Sequence, residues 1–256
     1  SLPAGVYGIV EVVDQERGQV IIRILASRVH GMFGSGRYRD GSLHILGKKD
    51  EMITRSAIQT SYDGHILVGG SIFFKDTISA AISTGVNGII TGGIDVRDYS
   101  GMAGGRLVFP RKLDNDIGIS VVVCEGFGLI PIGDDIFRVL QEYEGKFVFI
   151  DGNKALINLP SPSSSSLAKV KNTRLPELQN GDLMPEKATS ADMVTELSAG
   201  CKVRIAGSSY LGEQGTLLAV DSSLSLLPSG AKSYLATVET ARRKIQVPVA
   251  NLEVVM

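Results

Sequence analysis

The chemistry open to this chain rests on a few glycine-rich turns, three histidines, two cysteines and one acid-rich stretch. Gly69-Gly70, Gly92-Gly93 and Gly126-Phe127-Gly128 each follow an apolar run. If those runs are parallel strands, the turns lie at their carboxyl ends, where open α/β sheets bind ligands. Bare backbone N–H groups there, beside helix N-termini, suit an anion or a small polar ligand. Gly69, Gly70, Gly92, Gly93, Gly126, Phe127 and Gly128 are therefore the candidate ligand-binding set. Neither Gly-x-Gly-x-x-Gly nor Gly-x-x-x-x-Gly-Lys-Ser/Thr occurs. Glycine is also the default where a strand turns tightly, and that plainer reading outweighs a site.

The other candidates are weaker still. Cys124-Glu125-Gly126 could expose a thiol at a strand end, but a Cys closing a Val-Val-Val run is ordinarily buried, and no activating base is near in sequence. His30, His44 and His65 are scattered, with no His-x-x-x-His pair. Asp95, Asp98, Asp114 and Asp116 could ligate a metal in a loop, yet loops are ordinarily acidic and solvated. No catalytic residue, metal site or cofactor is assigned, and the balance leans away from an enzyme.

These residues hang on a recognisable succession of elements. Val6 to Val13 and Gln19 to Leu25, joined by Asp14-Gln15-Glu16-Arg17-Gly18, predict a β-hairpin. Val29 to Phe33 and Ser42 to Leu46 are further strands, separated by the Gly-rich stretch 34–41, so residues 1–60 read as a β-rich region. From His65 the pattern changes. The run His65 to Val68 is followed by a helix with Ile78, Ala81 and Ile82 on one face, Ser71 as its N-cap and Gly85 as its stop. Val86 to Thr91 then completes a βαβ unit, which must be parallel. Ile117 to Cys124 is a third such strand. The helix after it places Ile136, Val139, Leu140 and Tyr143 on one face, with Asp134 and Asp135 at its start. Lys146 to Ile150 and Ala155 to Leu159 close residues 61–160 as a hairpin. Residues 161–194 are polar and Ser/Pro-rich and read as a linker. Apolar runs resume at Cys201, Gly215, Tyr234, Lys244 and Leu252. Five short strands in residues 195–256 predict a small closed or nearly closed barrel.

Bulk properties narrow the function classes. A chain of 256 residues, 43% hydrophobic and 21% charged, has the composition of a folded protein of two or three domains. Its net charge of −1 argues against a dedicated nucleic-acid binder. The tail is mildly basic, with Lys202, Arg204, Lys232, Arg242, Arg243 and Lys244 against Glu213, Asp221, Glu239 and Glu253. No apolar run approaches the ~20 residues of a membrane span, and no signal peptide is evident. Cys124 and Cys201 fall in different expected domains, which fits no disulfide and a cytoplasmic location.

Gly200-x-x-Val203-x-Ile205, then Tyr210-x-Gly212-x-x-Gly215-Thr216 leading into Leu217 to Val220, resembles the KOW motif. Val247-Pro248 and Asn251-Leu252-Glu253 look like the end of such a domain. KOW domains are small SH3-like barrels of transcription elongation factors and ribosomal proteins, so the resemblance implies loops that contact RNA, ribosome or protein. Here Ser208, Ser209 and Tyr210 stand where basic residues would help, and Arg242-Arg243-Lys244 is the one dense basic run. Arg204, Tyr210, Arg242, Arg243 and Lys244 are the candidate partner contacts, and a solvated hairpin tip is the plainer reading of the last three.

The body from His65 to about Leu159, with Gly145-Lys-Phe-Val-Phe-Ile-Asp151-Gly152, resembles the swivelling β/β/α domain of phosphoenolpyruvate-using enzymes. That carrier uses a histidine in Gly-x-x-Ser-His, and no histidine follows His65, so phosphotransfer is excluded. The whole chain resembles a prokaryotic family joining such a body to a C-terminal KOW-like barrel. Its members carry a lipoyl-like β segment that Gly5 to Leu46 would complete, which implies that this chain is a fragment. The expected fold is thus α+β multidomain: a β region, a small α/β swivelling-type body and an SH3-like barrel. The expected function is non-enzymatic binding or scaffolding through the barrel, with a protein or RNA/ribosome partner. The alternative is an enzyme or small-ligand sensor with its site at the Gly-rich strand ends.

Overall fold

The computed structural model describes residues 4–102, 116–161, 197–206, 209–228, 230 and 232–255. The expected linker, Ser161 apart, and Asp114 and Ser208 lie outside them. The chain divides into two units, Ser1–Arg174 and Leu175–Met256, and is mostly sheet with few helices.

The first unit begins with the expected hairpin, β1 (Gly8–Asp14) and β2 (Gln19–Ile24), turning at Gly18 with φ +63°. Val10, Val13 and Val20 on it are exposed, and Glu11 and Arg23 pair across it at 2.6 Å. The strands β3 (Ala26–His30), β4 (Phe33–Ser35), β5 (Tyr38–Ile45) and β6 (Met52–Ile53) follow. Next come β7 (Ile66–Val68), β8 (Ile72–Phe73), α1 (Lys75–Thr84), β9 (Gly88–Ile94) and α2 (Val96–Met102). β10 (Ser120–Phe127), α3 (Asp134–Gln141), β11 (Phe147–Asp151) and β12 (Leu156–Pro160) complete the unit.

All strands from β3 to β12 join one ten-stranded sheet, in the order β3-β12-β11-β5-β7-β9-β10-β4, with β8 and β6 branching from β9. The boundary expected between residues 60 and 61 therefore falls inside a single sheet. β5 is the reason: it pairs antiparallel with β11 and parallel with β7. The parallel centre β5-β7-β9-β10 matches the expected βαβ grammar. Its strands are apolar on both faces because helices cover both. α3 packs Ile136, Phe137 and Leu140 against Leu43, Ile66, Ile90 and Val122. On the opposite face α1 packs Ile78 and Ala81 against Leu67, Ile89 and Val121. Each such side chain, fully buried, contributes about 1.5–3 kcal/mol.

Several local expectations are corrected. The stretch 34–41 carries strand rather than a long turn, because Gly34 lies beneath the carbonyls of Gly152 and Val121 and Gly41 beneath that of Gly64. Ser71 does not cap α1; its hydroxyl donates to the Asp50 carbonyl at 3.1 Å. The first turn of α1 is capped instead by Asp98, whose Oδ2 accepts from the Lys75 amide at 3.0 Å, and by Asp76. Gly85 ends the helix as expected, with φ +85°. α2 is an element that the sequence pattern does not predict.

In the second unit the five expected strands form: β13 (Lys202–Ile205), β14 (Gln214–Val220), β17 (Leu235–Thr240), β18 (Lys244–Pro248) and β19 (Leu252–Val254). A small extra hairpin, β15 (Ser225–Leu226) with β16 (Lys232–Ser233), interrupts them. The sheet order is β18-β17-β14-β13-β19, antiparallel throughout, around Val203, Ile205, Leu217, Ala236, Val238, Ile245 and Val247. Among the described residues no ladder joins β18 to β19, so of the expected closed or nearly closed barrel the closed form is not made. Nor is any helix there long and apolar enough to cross a membrane.

Candidate functional site

The glycine-rich strand ends are filled by the protein itself. β9 runs through Gly92 and Gly93 to Ile94, and β10 through Gly126 to Phe127, so neither pair is a turn. A Cβ on Gly70 would strike the backbone of Lys48 and Glu51. One on Gly92 would strike the backbone of Ile130, Pro131 and Ile132, and one on Gly93 the carbonyl of Gly128. At Gly69 the obstacle is the ring of Phe73. The amides are equally committed: those of Gly69, Gly92 and Gly93 donate to the carbonyls of Ile90, Gly70 and Ser71 at 2.9–3.0 Å, and that of Gly128 to Ile94 at 2.9 Å. An anion would find no open donor at these four. Gly69, Gly70, Gly92 and Gly93 thus have a structural reason to be glycine, the close approach of neighbouring segments to the strand ends. Gly126 and Gly128 have φ +147° and +108°, conformations that favour glycine, and Phe127 stacks on Phe33 at 4.4 Å with Tyr99 beside it.

The tail contacts are divided. Arg204 is only 5% exposed and pairs at 3.1 Å with Glu253, its register partner across β13 and β19. It is a structural residue, which corrects its assignment as a partner contact. Tyr210, Arg243 and Glu213 do come together: the guanidinium lies 4.8 Å from the Tyr210 ring centroid and reaches Glu213 Oε1 at 2.8 Å. Glu213, through hydrogen bond and charge, raises Arg243 above its ordinary pKa. Lys244 pairs with Glu239 at 3.5 Å. Arg242 is exposed, and its amide donates to Thr240 Oγ1. Two of the three cations of the dense basic run therefore hold a carboxylate at the hairpin tip. Its acidic partners are 30 and 5 residues away in sequence, and only the folded chain reveals the first.

The remaining candidates stay apart. Cys124 is buried and Cys201 half-buried, and they form no disulfide. His44 Nδ1 lies 2.7 Å from Glu144 Oε1, and its ring is 4.9 Å from Tyr62; His65 Nδ1 faces the Asp63 carbonyl at 3.0 Å. The acids are structural. The Arg97 amide holds Asp95 below the usual carboxylate range. Burial opposes ionisation of Asp116, but the Gly118 amide and the Arg39 and Arg37 guanidiniums outweigh it and lower its pKa. Among the described residues no group of three His, Cys, Asp or Glu side chains could hold a metal.

What the sequence reading missed is a groove of about 880 Å³ beside α1, lined by Arg55, Ile58, Phe74, Lys75, Ser79 and Asp98 among others. It is built by three elements distant in sequence, and no local motif signals it. No family model, no curated protein and no solved structure matches this chain.

Proposed function

We propose that the protein is a non-enzymatic binding or scaffold protein of the cytoplasm, and that its second unit is an SH3-like, KOW-type interaction module whose partner is a protein rather than RNA. The observation that carries this is the pairing of the tail's cations. Arg204, Arg243 and Lys244 each hold a carboxylate, whereas nucleic-acid affinity comes largely from cations free to neutralise phosphates. The same unit exposes Val220, Leu224, Leu226 and Tyr234 around β15 and β16, and apolar and aromatic side chains are the usual core of a protein interface. A rolled, SH3-like sheet is favoured by the return of β19 onto β13 after the 3-10 turn Val249–Asn251. For the first unit, the parallel β5-β7-β9-β10 core between helices favours the swivelling-type resemblance, and two cysteines that form no disulfide favour a reducing compartment.

The test compares full-length protein with a Leu224→Asp/Leu226→Asp variant as bait in nuclease-treated extract. These side chains are 54% and 71% exposed, so the variant keeps its fold. A discrete protein retained by the wild type and lost by the variant is expected. Retention that nuclease abolishes, or that the variant leaves unchanged, overturns the reading.

A further inference from the structure

The groove beside α1 is independent of the tail and has the chemistry of a second site. Two carboxylates at its N-terminal end are already engaged, Asp98 with the Lys75 amide at 3.0 Å and Asp76 with the Thr77 amide at 2.8 Å. The two cations that line the same groove, the side chains of Arg55 and Lys75, have no acidic partner among the described residues. Ser79 and Ser83 turn their hydroxyls back to the carbonyls of Lys75 and Ser79 at 2.9 Å, so this stretch of α1 is small and satisfied and leaves the channel open. Phe74, 38% exposed, and Ile58 give the groove an apolar wall. Its volume of about 880 Å³ is that of a small-molecule site.

A guanidinium, an ammonium and an aromatic wall form a recognition set for an acidic group on an apolar body. We propose that this groove binds a small organic anion, with Arg55 and Lys75 holding its carboxylate or phosphate and Phe74 packing on its body. The lining acids and bases balance in charge, so binding depends on these contacts and not on a long-range positive field.

The experiment is calorimetric titration of the full chain with phenyl phosphate, benzoate, inorganic phosphate and benzyl alcohol. Phenyl phosphate or benzoate is expected to bind saturably with Kd of about 1 mM or tighter. Inorganic phosphate and benzyl alcohol, each lacking half of the recognised chemistry, bind more weakly. Arg55→Gln and Lys75→Gln, both at exposed positions, each weaken binding about tenfold. Ser79→Trp fills the channel and removes binding, with an unchanged circular dichroism spectrum as the control. The proposal is overturned if neither aromatic anion binds saturably, if the neutral probe binds as well as the anions, or if both Gln variants bind like wild type. The phosphate and benzoate arms tell a phosphorylated ligand from a carboxylate one.

Discussion

Replacing Gly92 by alanine separates a structural glycine from a ligand cradle. The added methyl would sit well inside 3.0 Å of the Ile130 carbonyl oxygen, the Pro131 carbonyl carbon and the Ile132 amide nitrogen. All three are backbone atoms, and the segment they form is tied down by the Ile132 amide's bond to the Lys49 carbonyl and by Ile132's full burial. Overpacking a core with one methylene costs about 1–3 kcal/mol where side chains can shift. Here the backbone must move on both sides, so at least about 3 kcal/mol is expected, a large part of the 5–15 kcal/mol typical of a domain. Urea unfolding followed by circular dichroism measures it, with a lower midpoint at unchanged slope as the expected result. Gly101→Ala is the opposite-sign control: it lies in α2 with nothing within 4 Å of an added Cβ, and a helical Gly-to-Ala exchange stabilises by up to about 1 kcal/mol. If Gly92→Ala unfolds at the wild-type midpoint, the loops do not close over the strand ends and the enclosure described above is wrong.

The buried pair and the anchored acid give two further expectations. Arg204→Ala should destabilise the second unit by about 2–3 kcal/mol, below the 3–5 of a fully buried pair because Glu253 is 32% exposed and can regain water; Arg204→Met, which keeps the packed stem, should cost less, and both are read by thermal unfolding. Asp116 has a lowered pKa in the folded chain, so its contribution is fully present above the ordinary carboxylate value of about 4 and disappears as the pH falls through the lower folded value. Asp116→Asn should therefore be less stable than wild type by about 1–2 kcal/mol at pH 7, with the gap closing below about pH 4. A gap that is constant with pH would remove the ionised carboxylate from the explanation.

The elements that follow from local pattern are legible in the sequence. The spacing of Ile136 and Leu140 marks the buried face of α3, with Tyr143 buried just past its end, and Gly85 marks the end of α1. The βαβ order and the five tail strands are equally plain. What escapes is set by partners far along the chain. Gly92-Gly93 reads as a strand terminator, yet the loop 128–132 that needs those glycines comes more than thirty residues later. Arg204 reads as a surface cation until the register of β13 and β19 sets it against Glu253. The strands β6 and β8, two residues each, carry no period at all. The groove is invisible for the same reason, since Arg55, Lys75 and Asp98 share a wall only after the helices pack.

The most direct test of the tail's role is the salt dependence of its interaction with nucleic acid. Full-length protein is titrated with a structured RNA at several salt concentrations between about 50 and 200 mM, a range over which a protein making 6–10 phosphate contacts loses about 10³–10⁵ in affinity. Because Arg204, Arg243 and Lys244, three of the six cations of the tail, are paired with carboxylates, no binding or a nearly flat dependence is expected, unchanged in an Arg242→Gln/Arg243→Gln/Lys244→Gln variant. Tight binding with a steep salt slope that the triple variant abolishes would contradict the account and make the hairpin tip a nucleic-acid contact.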